Sequence, residues 1–363
     1  MPIQPETASY QQLSETSAPL LLVSQPLAKN SKQVLSHPLD VILISGDAYV
    51  DHPSFGTAVI ARWLQAHGYS VGIIDQPDVN NPESFTCFGK PRLFFGISAG
   101  NVDSIVSHYT AQRKLRHDDP YSPNGMAGKR PDLATIVYSQ MIRRTYKQST
   151  IVLGGIEASL RRIPHFDFYS GKIRNSILFD SRAEILVYGM GERAIVEIAR
   201  RKSKGTSLNG IRGTVVSVSE KPESCIELPD WQTARQPDGF YLLTREFHAH
   251  FRENNLSQPF AGRFLLHYPP AEPLSRREMD KLYLMPFSRK PAPKYKGMSI
   301  PAWEQIRKSI TAHRGCFGGC HFCAIGLHQG KTIQSRSINS ILYEMGQIQS
   351  VAGSNTQISD IGG

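Results

Sequence analysis

The chain has 363 residues, with 41 Lys plus Arg against 31 Asp plus Glu and 40% hydrophobic residues. That is the composition of a globular protein with room for two domains and a sizeable core, and five cysteines are too few for a disulfide scaffold. No stretch approaches the roughly 20 apolar residues that span a bilayer, and the apolar run at 20–23 is too short for a signal-peptide core, so a cytoplasmic location and no membrane partner are expected. The net charge of +10 would attract a polyanion such as RNA. It is spread along the chain, however, as on an ordinary solvated surface.

Residues 1–37 are rich in Ser, Gln, Thr and Pro and read as an irregular lead-in. Residues 41–44 form a continuous apolar run, the pattern of a strand buried on both faces. A polar loop to Ser54 follows. Then Phe55, Val59, Ile60, Trp63 and Leu64 share one face of a helix that Gly68 can close. Strands are expected at 71–74, 93–97, 151–153 and 185–188, with helices at 132–146 and from 192 to about 201. Apolar strands alternating with helices predict an α/β fold, a Rossmann-like parallel sheet over 38–284. Its ligand-facing loops would be 45–54, 98–103, 154–158 and 189–192.

From 206 to 284 only a strand at 211–216 and a helix near 275–284 are legible. Residues 285–300 carry Pro286, Pro291, Pro293 and four bases without an acid, and read as a linker. The last unit, 301–363, offers a short strand at 309–312, a glycine-rich cysteine loop, a helix carrying Ile338, Ile341, Leu342, Met345 and Ile348 on one face, and a final strand at 356–361.

The loop reads His313-Arg314-Gly315-Cys316-Phe317-Gly318-Gly319-Cys320-His321-Phe322-Cys323. Three thiolates in C-x3-C-x2-C spacing can bind three irons of a [4Fe–4S] cubane and leave the fourth open. Gly315, Gly318 and Gly319 let backbone amides approach the sulfurs. The alternative is a Cys3His zinc knob completed by His313, His321 or His328. Elsewhere, Gly189-x-Gly191-x-x-Ala194 fits a weak dinucleotide pattern without the acid that should follow it. His248 and His250 lack a third ligand. Cys87 and Cys225 stand alone.

The cysteine loop after a short strand resembles the radical S-adenosylmethionine (SAM) motif, and more narrowly the YgiQ-type radical SAM proteins. The resemblance rests on Gly46-Asp47-Ala48-Tyr49-Val50-Asp51-His52-Pro53-Ser54-Phe55-Gly56, Gly154-Gly155-Ile156-Glu157-Ala158-Ser159-Leu160-Arg161-Arg162, Val187-Tyr188-Gly189-Met190-Gly191-Glu192-Arg193 and the cysteine loop through Ile325. His328-Gln329-Gly330 and Ser335-Arg336-Ser337 also fit. It covers roughly residues 38–363 and implies a cobalamin-binding-type domain ahead of a partial TIM barrel.

The resemblance also implies that Cys316, Cys320 and Cys323 hold the cluster and that SAM chelates the open iron. SAM cleavage would then give a 5′-deoxyadenosyl radical that takes hydrogen from a substrate the sequence does not name. Phe322 would lie against the adenine, and Asp360, Gly362 and Gly363 beside the SAM amino group. A flavodoxin or ferredoxin would supply the electron. Cobalamin is disfavoured, because Asp51 and His52 are adjacent where D-x-H-x-x-G is needed, although a base-off form stays open. Asp47, Asp51 and His52 are then candidates to meet the substrate or the barrel, or to form a proline-closed turn. Only 40 residues follow Cys323, about two strands and one helix of a barrel, so a truncated chain with a frayed Gly-Gly end and little activity of its own is expected. An RNA-modifying enzyme and a non-catalytic metal- or nucleic-acid-binding module are the alternatives.

Overall fold

The computed structural model describes residues 21–23, 37–320, 322–352 and 357–363. One ten-stranded sheet organises residues 21–267. Its strands in chain order are β1 (Leu21–Val23), β2 (Val41–Ser45), β3 (Val71–Asp75), β4 (Phe94–Ser98), β5 (Ile151–Leu153), β8 (Ile185–Val187), β9 (Thr214–Val218), β10 (Ile226–Glu227), β11 (Leu256–Phe260) and β12 (Arg263–His267). The remaining pair, β6 (His165–Asp167) and β7 (Lys172–Arg174), is a separate hairpin. The order across the sheet is β1-β3-β2-β4-β5-β8-β9-β12-β11-β10.

The strands from β1 to β8 pair in parallel. This is the parallel sheet expected from the apolar runs. β2 and β3 are buried at every residue, because helices cover both faces. Helices Gly56–Ala66 and Glu192–Lys204 lie over one face and Ala134–Thr145 over the other, each contributing buried apolar residues to one of two cores. Gly68 stands just past the first helix at φ +86°, as a closing glycine should.

Two departures from the sequence reading are physical. Leu21–Val23, inside the segment expected to be irregular, adds to the sheet edge beside β3. Residues 206–284, expected to be poor in strands, extend the same sheet through antiparallel β9, β12 and β11. β11 contains Pro259 among polar residues, so it lacks the apolar signature of the parallel strands.

The proline- and base-rich segment 285–300 lies along the C-terminal ends of β2 and β3. Arg289 N–H donates to the Asp51 carbonyl (2.8 Å) and Ala292 N–H to that of Tyr49 (2.9 Å). Beyond it come helix Pro301–Ile306, β13 (Ile310–Thr311), β14 (His313–Arg314), helix Ile325–His328, β15 (Gln334–Ser335), helix Ile338–Ala352 and β16 (Ile361–Gly362). β14 and β15 form a short hairpin around the cysteine loop. β16 pairs in parallel with β13, Ile310 opposite Ile361 and Thr311 opposite Gly362. Gly362, expected in a frayed Gly-Gly end, is thus placed in a paired strand. Of the final strand expected at 356–361, residue 356 lies outside the described residues.

Candidate functional site

The cysteine loop begins where β14 ends. Gly315 sits at φ +89°, and a methyl group there would overlap the Thr332 carbonyl oxygen, so only glycine fits. The base of the loop is closed by the segment at 328–330. Gly315 N–H donates to Gln329 Oε1 (3.0 Å), and Cys316 N–H donates to the Gly330 carbonyl (3.1 Å). Within the loop, Cys323 N–H returns to the Cys320 carbonyl (3.1 Å). All three thiols are free; Cys320 is exposed, Cys316 and Cys323 partly so.

A Cβ placed on Gly318 would stand 3.2 Å from Cys316 Sγ and 3.8 Å from Cys320 Sγ. Two sulfurs therefore converge on one bare backbone position, and a side chain there would fill the space between them. Two free thiols at a glycine-lined cradle, with Cys323 tied back to Cys320 through the backbone, are donors of the kind a thiolate-bound cluster takes. Among the described residues no three Cys, His, Asp or Glu side chains are grouped closely enough to hold a metal ion, the three cysteines included. Phe322 is 92% exposed and Phe317 81%, so neither ring is core packing. His321 lies outside the described residues. The Asp360 and Gly362 carbonyls face β13, with Ile310 N–H donating to the Asp360 carbonyl (3.0 Å) and Ala312 N–H to the Gly362 carbonyl (2.6 Å). Gly363 lies against His313, where a side chain would overlap the His313 carbonyl.

The loop docks on the C-terminal ends of β5 and β8. Gly189, at φ +72°, makes the turn out of β8, and a Cβ on it would stand 3.0 Å from the His328 carbonyl. The glycines at 189 and 191 thus serve a tight turn and close approach of the cysteine-bearing unit. Gly189 N–H donates to Ser159 Oγ (3.0 Å), which shares a 2.9 Å hydrogen bond with His328 Nδ1. Burial, then the Arg162 charge, pushes His328 down to about 4. It is neutral near pH 7, so the Ser159 hydroxyl can donate to Nδ1, leaving the ring proton on Nε2. Arg314, the residue before the loop, forms a buried ion pair with Glu192, the first residue of helix Glu192–Lys204. Burial alone would lower the Arg314 pKa, but Glu192 and Tyr283 hold it above its ordinary value.

The other motif residues turn inward. Glu157 is fully buried and accepts from Ser104 N–H (2.9 Å) and Thr135 N–H (3.0 Å). Arg162 is buried over the Tyr188 ring (4.7 Å). Arg336 is buried in an ion pair with Glu344 and donates to the Thr311 carbonyl (3.0 Å).

Asp47, Asp51 and His52 do not reach the cysteine loop. Asp51 is held by Arg62 (2.5 Å) and by Ser288 N–H (2.8 Å). Asp47 stands 2.8 Å from Arg130 Nη2, and burial pushes its pKa up to about 6 against the pull of that guanidinium. His52 has no exposed surface, accepts from Ser54 N–H at Nδ1 (3.1 Å), and is pushed by burial, then by Arg289, down to about 3. His248 and His250 lie in the last turn of helix Pro237–His250, where a basic group suits the helix dipole. The docking residues Ser159, Glu192 and Arg314 were not singled out by sequence reasoning, although each lies in or beside a motif that was quoted.

Comparison with known proteins decides the family. A model described as Radical SAM N-terminal matches residues 26–309. The chain belongs to the Radical SAM N-terminal family. It is 48% identical to a UPF0313 protein of Geobacter sulfurreducens over 336 residues, 90% of this chain and 55% of that one. It is 46% identical to a UPF0313 protein of Rhodopseudomonas palustris, covering 89% and 52%. A UPF0313 protein of Thermotoga neapolitana is also 46% identical, covering 90% and 59%. The chain thus spans between half and three fifths of the length of these relatives. Among solved structures, the radical SAM methyltransferase TsrM of Kitasatospora setae superposes with TM-score 0.48 at 16% identity, covering 86% of this chain and 46% of that one. The cobalamin-dependent SAM radical enzyme OxsB gives 0.45 at 12%, covering 87% and 32%. Among the described residues no helix is long and apolar enough to cross a membrane.

Proposed function

We propose that this chain supplies the cluster-binding part of a radical SAM enzyme, with Cys316, Cys320 and Cys323 as ligands of a [4Fe–4S] cluster whose fourth iron takes SAM. The observation that carries this is the cradle at Gly318, flanked by Cys316 Sγ and Cys320 Sγ within 3.8 Å of its missing Cβ. Family membership supports an enzyme. A reduced [4Fe–4S] cluster held there by Cys316, Cys320 and Cys323 would supply the electron for cleavage of the C5′–S bond of SAM.

The chain's own residues do the positioning. Gln329 and Gly330 clamp the loop base, and Arg314 and His328 fix it to the sheet through Glu192 and Ser159. The exposed Phe322 ring is free to cover an adenine. The backbone of Asp360, Gly362 and Gly363 lies beside β13, next in line to the loop, and is the proposed support for the SAM amino group. SAM turnover, the hydrogen donor and a flavodoxin or ferredoxin reductant are proposed for the whole protein in the cytoplasm. The basic surface keeps RNA as the alternative substrate class.

Anaerobic reconstitution tests the reading. About four irons and four sulfides per chain are expected, with loss of both in Cys316→Ala, Cys320→Ala or Cys323→Ala. Stoichiometric zinc without iron in protein kept free of oxygen would refute it.

A further inference from the structure

The sheet order β3-β2-β4-β5-β8 reverses at β2: the chain steps to β3 on one side, then returns to β4 on the other. In open α/β sheets, ligands bind in the crevice outside the strand C-termini at such a switch point. Here that crevice lies between Gly46–Asp47 after β2 and Ala99–Gly100 after β4.

It is filled from within the chain. A methyl group on Gly46 would overlap the Ala99 carbonyl and stand 3.0 Å from Arg130 Cγ; one on Gly100 would overlap the Asp47 carboxylate. The Arg130 side chain is fully buried between Asp47 (2.8 Å) and Asp119 (3.1 Å), and it donates to the Ala99 carbonyl (2.6 Å). Tyr121 covers the guanidinium at 6.0 Å, and Ala48 N–H ties to the Tyr121 carbonyl (3.0 Å).

A second layer closes over the first. The strap at 286–302 bonds to both flanks: Asp51 N–H to the Lys290 carbonyl (3.0 Å), Ala292 N–H to the Tyr49 carbonyl (2.9 Å) and Ala302 N–H to the Pro120 carbonyl (2.9 Å). Its latch is Asp75 at the end of β3, which takes the Lys294 ammonium (2.5 Å) on one oxygen and the Tyr295 hydroxyl (2.6 Å) on the other. Admitting a ligand would pull Arg130 from between two buried carboxylates and leave them unpaired, a strongly unfavourable step.

We infer that residues 118–130 and 286–302 are a built-in plug of the switch-point crevice, so that this α/β domain holds no cobalamin or other cofactor there and serves as a rigid platform. The ends of β5 and β8 carry the cysteine-bearing unit, through Ser159, Gly189 and His328. The strap's last two residues open helix Pro301–Ile306, which leads to β13, so plug closure also sets where the cysteine loop stands.

Two measurements on the full chain test this. In hydrogen exchange, peptides over 48–53 and 288–293 are expected to be protected like β2, and Lys294→Gln to speed their exchange at least about tenfold, the factor for losing one hydrogen bond to a charged group. In gel filtration after incubation with excess hydroxocobalamin, the protein is expected to retain none by absorbance. Fast exchange of the strap in the wild type, an unchanged rate in Lys294→Gln, or stoichiometric cobalamin retention would each overturn the inference.

Discussion

Replacing Arg314 by Met asks how the cysteine loop is held to the sheet. Arg314 and Glu192 are 8% and 3% exposed at their side chains, so the substitution leaves a buried carboxylate without its cation. Removing one partner of a buried pair costs about 3–5 kcal/mol. Two features reduce that here. Glu192 opens a helix, whose N-terminal dipole favours a negative charge by about 0.3–1 kcal/mol. The Met side chain can also pack where Arg314 now lies against Met279 and Tyr283. A net loss of about 2–4 kcal/mol is expected. Urea melts of anaerobic protein measure it, with Arg314→Met, Glu192→Gln and the double variant forming a cycle. The double variant should recover at least about 1 kcal/mol relative to the sum of the singles, since residues in one buried pair couple. Iron per chain should fall in Arg314→Met, because the next two residues are Gly315 and Cys316. A single-variant loss below about 1 kcal/mol, or strict additivity, would refute the docking role.

Other perturbations probe separate parts. Gly315→Ala forces a methyl group against the Thr332 carbonyl at positive φ, so cluster yield after reconstitution should drop severely; wild-type yield would show that the loop base is not fixed as described. Ser159→Ala strips the Gly189 N–H and His328 of their shared partner and should cost about 1–3 kcal/mol in a melt, with no loss if that bond is incidental. Acid should destabilise the fold. His52, His165 and His328 are depressed to about 3, 4 and 4, in each case mainly by burial, so below about pH 6.5 the unfolded chain binds protons that the native one refuses. Each contributes up to about 1.4 kcal/mol per pH unit lost as pH falls from 6.5 toward 4. Asp47, raised to about 6, and Asp180, also raised, both mainly by burial, act in the opposite sense, while His248 and His267, lowered mainly by burial, act with the other histidines. Denaturant melts at neutral pH and near pH 5.5 should show the drop, and equal stability at both would contradict it.

The parallel strands were legible because a strand buried on both faces reads as a continuous apolar run, as at 41–44 within Val41–Ser45 and 71–74 within Val71–Asp75. β11 and β12 were not, since β11 mixes Ser257, Gln258 and Pro259 into a short strand and β12, its neighbour across a two-residue turn, opens on Arg263. The cysteine spacing and its glycines were readable as local chemistry. What anchors them was not. Arg314 and Glu192 are 122 positions apart, His328 and Ser159 169, and no local pattern announces such pairs. For the same reason Asp51 and Asp75 do not declare themselves as holders of the strap. Their partners Ser288, Lys294 and Tyr295 lie more than 200 positions away, in a segment whose prolines and bases suggest a free linker.

The most direct test of the central claim is Mössbauer spectroscopy of the anaerobically reconstituted chain, enriched in iron-57, with and without SAM. The account predicts a [4Fe–4S] signal of about four irons per chain, with one iron site that shifts when SAM is added, and no such signal in Cys320→Ala. Iron that stays at background while zinc binds in equal amount, or a cluster that survives the loss of Cys320, would contradict it.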